Sequence, residues 1–162
     1  MKNKLSVAIL CFLSLFAIIQ GLIIKPEDLD DYYECWTYAK CFSDGPPAEN
    51  MENCVKIMKP EEYEATYKYV ADNYYDYKSD DIGGGVREYC NLDDSTRRDA
   101  YNKSLNGMIA YQKKVCAEPD KAGACDRITK SIDCLFLYLG QLKQQDQCKT
   151  SGSIGKLPFN NA

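Results

Sequence analysis

What most limits how this chain can fold is the placing of its cysteines. The densest part runs Cys116, eight residues, Cys125, eight residues, Cys134, then the apolar segment Leu135-Phe136-Leu137-Tyr138-Leu139 and Cys148. Ile128, Ile132, Leu135, Leu139 and Leu142 recur at helical spacing, so the segment reads as an amphipathic helix carrying its own cysteines. Cys125 and Cys134 lie nine residues apart, about two and a half turns, and leave such a helix on opposite sides. They are expected to bond to two different neighbouring segments rather than to each other. This helix is then the hub of a small disulfide-stapled helical protein.

The number of cysteines depends on the N-terminus. Lys2 and Lys4 precede an apolar run from Leu5 to Ile19, with no acidic residue before Gly21. A short basic stretch followed by a hydrophobic core too short to span a bilayer reads as a cleaved secretory signal over 1–21. Cys11 leaves with it, so the nine cysteines become eight: Cys35, Cys41, Cys54, Cys90, Cys116, Cys125, Cys134 and Cys148. An even set in a secreted chain of about 140 residues argues for up to four disulfides, among roughly 105 pairings. The expected organisation is a signal peptide at 1–21, a single helical disulfide-rich domain at 22–148 and a polar, aperiodic, flexible tail at 149–162. The expected location is extracellular, with no membrane span once the signal is removed.

Charge and chemistry narrow the function. Loss of Lys2 and Lys4 takes the net charge from −4 to −6, and Arg97-Arg98 and Lys113-Lys114 make no basic patch, so nucleic acid is not an expected partner. The chain has no histidine, which removes Ser-His and Cys-His nucleophile pairs and His-based zinc sites. Asp80-Asp81-Ile82-Gly83 lacks the alternating ligands and closing glutamate of an EF-hand. The acidic groups Asp28-Asp30-Asp31 and Glu61-Glu62-Glu64 sit at helix starts, where dipole compensation alone accounts for them. No enzyme activity, metal or cofactor is expected.

Along the chain, Pro26-Glu27-Asp28 starts a helix that Leu29, Tyr32, Tyr33 and Trp36 carry to about Phe42. Ser43-Asp44-Gly45-Pro46-Pro47 is a turn, and Glu49 to Met58 a short second helix. Pro60-Glu61-Glu62 opens a third, expected to reach Tyr77, with Tyr63, Tyr67, Val70 and Tyr74 on one stripe. Gly83-Gly84-Gly85 costs too much backbone entropy for a regular element, so Lys78 to Gly85 is expected to be a linker or lid. Asn91 to Thr96 offers N-caps for a fourth helix carrying Tyr101, Leu105, Met108, Ile109 and Val115 to Cys116, with Gly107 marking a close helix crossing or, as the alternative, a ligand-facing wall. Asn102-Lys103-Ser104 is a sequon, making Asn102 a glycosylation candidate. No period-two alternation occurs. The fold class is all-α: a compact disulfide-stapled bundle of about five to six helices.

The spacing Cys116-eight-Cys125-eight-Cys134, with the apolar run Leu135 to Leu139 beyond it, resembles the C-terminal half of insect odorant- and pheromone-binding proteins. That resemblance covers about 30 residues. It implies a bundle of helices around an apolar cavity, with Cys116 paired to Cys134 and Cys125 paired to a cysteine upstream. Towards the N-terminus the spacing differs from the family's, since Cys35 and Cys41 are separated by five residues where the family has three.

Two functions are consistent with these features. The first is a secreted carrier that binds a small apolar or amphipathic ligand, as the resemblance implies. Thirteen tyrosines supply apolar walls with orienting hydroxyls. The residues expected around the ligand are Trp36, Tyr67, Val70, Tyr74, Leu105, Met108, Ile109, Leu135 and Leu139. The second is a venom, salivary or haemolymph protein that acts by binding another extracellular protein, with tyrosines between Tyr63 and Tyr77 as the contact surface. An apolar cavity favours the first, and a solid core with an exposed tyrosine patch favours the second.

Overall fold

The structure, a computed structural model, describes residues 26–148. The expected signal segment at 1–21 and tail at 149–162 lie outside the described residues. The described residues form helices throughout, with no strand among them.

The first segment is helical as expected, but it changes pitch twice. A 3-10 stretch, Pro26–Tyr32, runs into α1 (Tyr33–Thr37) and then into a π turn, Tyr38–Phe42. A π turn takes one more residue than an α turn and so re-aims the chain beyond it. Cys35 bonds to Cys148 and Cys41 to Cys90, in two different directions.

Pro46 and Pro47 do more than end the first segment. They occupy the first positions of α2 (Pro46–Val55), where proline's fixed φ suits a helix and its missing N–H costs nothing. Pro60 does the same for α3 (Pro60–Asn73). There Glu62 Oε2 accepts from the Lys59 backbone N–H at 2.9 Å, half of a capping box. This helix stops earlier than its tyrosine pattern predicts. The Val70 carbonyl accepts from both Tyr74 N and Tyr75 N, and the chain turns so that the Tyr77 ring stacks on Tyr67 at 5.8 Å.

The glycine run overturns an expectation. Gly83, Gly84 and Gly85 lie inside α4 (Ile82–Asn91), capped by the Asp81 side chain, which accepts from Gly84 N at 2.7 Å. The entropic cost of three glycines is real, but the space demands two of them. A Cβ on Gly84 would overlap the Ser79 side chain, and one on Gly85 would sit 2.8 Å from Tyr67 Cζ. This stretch is a contact surface rather than a linker.

α5 (Asp94–Cys116) starts on Asp93, whose side chain accepts from Thr96 N at 3.0 Å, and ends with Lys113 and Lys114 against its C-terminal dipole. α3 packs along it. Gly107 marks that crossing, since a Cβ there would lie 2.9 Å from the Tyr74 ring and 3.0 Å from Val70. A 3-10 turn, Pro119–Lys121, then leads into α6 (Ala122–Gln144). α6 is the helix the cysteine spacing predicts, and it buries Ile128, Ile132, Leu135, Phe136, Leu139 and Leu142. α2 and α5 both pack on it. The bundle is all-α, with six α-helices among the described residues.

Four disulfides tie it. Besides Cys35–Cys148 and Cys41–Cys90, Cys54 on α2 bonds Cys134, and Cys116 bonds Cys125. Cys125 and Cys134 thus serve different segments, as their positions on the helix predict. The Cys116–Cys134 pairing implied by the family resemblance does not form. The tight turn after α5 brings Cys125 to 4.8 Å from Cys116, Cα to Cα. Cys134 lies about 13 Å farther along the axis and on the opposite face, beyond a disulfide's reach of about 7 Å.

Candidate functional site

Between α3, α4 and α5 the packing leaves an apolar, half-enclosed cavity of about 120 Å³. Trp36 and Lys40 close one side of it, with Val55 and Met58 at the exit of α2. Tyr63, Thr66, Tyr67 and Val70 of α3 form a second wall, continued by Tyr77. Ile82, Gly85, Val86 and Tyr89 of α4 face them, and Tyr101, Ser104, Leu105 and Met108 of α5 make the floor, with Leu135 of α6 behind.

Six of the nine residues expected around a ligand come together here: Trp36, Tyr67, Val70, Leu105, Met108 and Leu135. The other three do not line the cavity. Tyr74 covers Gly107 and packs against Tyr69 at 6.1 Å, Ile109 is half-buried against the core, and Leu139 is fully buried within it. Helical spacing chose the right faces of α3 and α5, but it cannot separate a core contact from a cavity wall. The α4 contribution escapes sequence reasoning because a run of three glycines favours irregular chain, although Ile82, Val86 and Tyr89 recur at helical spacing. Tyr63 shares the stripe of Tyr67 and Val70 but is not among the residues expected around the ligand, and Lys40 carries no such signal.

The cavity's hydroxyls are mostly used within the protein. Tyr67 donates to the Ser79 carbonyl at 2.7 Å and Tyr101 to the Leu29 carbonyl at 2.7 Å. Tyr77 pairs with Ser104 at 2.9 Å, Tyr89 with Thr37 at 2.7 Å, and Thr66 donates to the Glu62 carbonyl at 2.7 Å. Burial pushes the Tyr77 hydroxyl up to about 12 and raises Tyr89 and Tyr101 further. These tyrosines are neutral wall material at any ordinary pH.

Lys40 differs. Burial lowers the pKa of its ammonium, and the Glu52 charge only partly offsets that. The ammonium lies 5.8 Å from the Trp36 ring centroid. No carboxylate comes within 4 Å of it among the described residues, whereas Glu52 pairs with Lys56 at 2.8 Å.

Elsewhere, Asn102 sits on α5, half-buried, with Nδ2 3.4 Å from Asp30 Oδ1. Outside the cavity Tyr69 packs on Tyr111 at 5.2 Å, with Lys114 over its ring. Among the described residues no group of three or more metal-ligating side chains comes together, and no helix is long and apolar enough to cross a membrane. Compared with known protein families, curated proteins and solved structures, the chain matches none.

Proposed function

We propose that this protein is an extracellular carrier of a small apolar or amphipathic molecule, bound between α3, α4 and α5. The observation that carries this reading is the cavity itself. Aromatic, Met and branched aliphatic side chains from every helix of the bundle converge on unfilled space, where a well-packed core leaves almost none. The glycine run supports it, because Gly85 lets α4 close tightly against Tyr67, another wall of the cavity. Four disulfides fit an oxidising, extracytoplasmic setting.

Native mass spectrometry of the protein from its own secretion, before and after organic extraction, tests this. A small-molecule mass lost on extraction supports the carrier. A bare mass, together with no uptake of an apolar fluorescent probe, overturns it. Partner binding through the surface is then the reading left, and the outer cluster of Tyr69, Tyr74 and Tyr111 is where it would be sought. Tyr63, Tyr67 and Tyr77 face the cavity and are not available for such contacts.

A further inference from the structure

Three residues of the cavity wall carry polar groups that the protein does not use. Lys40 is the one charged residue in its wall, and among the described residues no carboxylate lies within 4 Å of its ammonium, the nearby Glu52 being paired with Lys56 at 2.8 Å. Two more donors at the cavity, the Tyr63 hydroxyl and the Trp36 indole N–H, make no hydrogen bond to any described residue. Every other hydroxyl in the wall is paired. A cation in an apolar wall is costly unless an anion meets it. The unspent groups can all donate, so they call for an acceptor. No carboxylate lines the cavity itself, and the Glu52 charge that reaches Lys40 and Tyr63 is paired with Lys56.

The backbone under Lys40 is built to hold it there. It lies in the π turn Tyr38–Phe42, a feature that recurs at functional sites. Its neighbours on either side are fixed, Ala39 by complete burial and Cys41 by its bond to Cys90.

We propose that the ligand is a small monocarboxylic acid, its carboxylate on the Lys40 ammonium with Tyr63 and Trp36 as further donors. This inference rests on the carrier reading above. Its apolar body is one ring or a short branched chain, because an apolar cavity of roughly 150 Å³ takes up benzene and this one is about 120 Å³.

The test compares 3-phenylpropionate with 3-phenylpropan-1-ol, which share a body and differ in the head. Binding to the disulfide-intact protein is followed at neutral pH by calorimetry and by the fluorescence of Trp36, the chain's single tryptophan. The acid is expected to bind about tenfold more tightly or better, as a charge-assisted contact allows. Lys40→Arg keeps that preference, and Lys40→Met brings the ratio of the two affinities to about one. An alcohol that binds as tightly as the acid overturns the carboxylate inference and leaves the carrier standing. A preference that survives in Lys40→Met, in a variant with wild-type helicity, also overturns it. Binding of neither probe overturns both.

Discussion

The two interior glycines of the long helices give a paired test of how tightly α3 and α5 are packed. Gly107 and Gly140 each lie within a 23-residue helix, where alanine is intrinsically better than glycine by about 1 kcal/mol. On propensity alone, both Gly→Ala changes stabilise equally. At Gly140 nothing opposes the gain, since the nearest atom to a new methyl is Tyr32 Cε1 at 4.0 Å, ordinary contact. At Gly107 the methyl would meet two ring atoms of Tyr74 at 2.9 Å and Val70 Cγ2 at 3.0 Å. Val70 is buried, and a valine in a helix is held to one strongly preferred rotamer, so it does not simply swing away. Overpacking of this kind costs about 1–3 kcal/mol. Gly140→Ala should therefore gain about 1 kcal/mol and Gly107→Ala lose about 1, a separation of about 2 kcal/mol. In a domain of this size that corresponds to roughly 8 °C between their melting temperatures. Guanidinium unfolding followed by far-ultraviolet circular dichroism, with all disulfides intact, gives both values. If Gly107→Ala is stabilised as much as Gly140→Ala, the α3–α5 crossing is looser than these distances imply and the reasoning fails.

Three further outcomes are expected. Thr37 and Tyr89 share a buried hydrogen bond of 2.7 Å, so Tyr89→Phe should cost about 1–2 kcal/mol by stranding the Thr37 hydroxyl, and adding Thr37→Val should recover most of it; a double variant as unstable as the sum of the singles would refute this. The Arg127 guanidinium, bonded to the Glu62 carboxylate, holds that carboxyl below its ordinary value near 4.5. A lowered folded-state pKa lends stability that is whole above the ordinary value and lost as pH falls through the folded one. Glu62→Gln should therefore melt lower than wild type at pH 6, and the gap should narrow as pH falls below the ordinary carboxyl value; a gap independent of pH would show that the pair's charge is immaterial. Under limiting reductant Cys116–Cys125 should open first, because Cys116 is exposed whereas Cys35 and Cys148 are buried. It should also cost least, since the chain-entropy rule assigns roughly 2.5 kcal/mol to its loop of 9 residues and roughly 5 kcal/mol to the loop of 113. Peptide mapping of partly reduced protein reads the order, and early thiols at Cys35 or Cys148 would contradict it.

Local periodicity determined much of this protein before any tertiary contact. Apolar residues three and four apart defined α3, α5 and α6, and prolines followed by acids marked where helices begin. The positions of Cys125 and Cys134 on opposite faces of one helix required two separate partners, because that is a consequence of helical pitch alone. Which partners was a matter of tertiary geometry. The turn at Pro119–Lys121 brings Cys125 to Cys116 and leaves Cys134 for α2, and no spacing rule contains that turn. The glycine run is a similar case. Its intrinsic preference is for irregular chain, but Ser79 and Tyr67 press so closely on α4 that only glycine fits. The cavity was half legible for the same reason. Periodicity names the inward face of a helix, whereas whether that face meets another side chain or empty space depends on how six helices cross. The setting of Lys40 was decided entirely by the fold, because a lysine reads as a surface residue until the helices around it withdraw much of its solvent and leave no carboxylate within 4 Å.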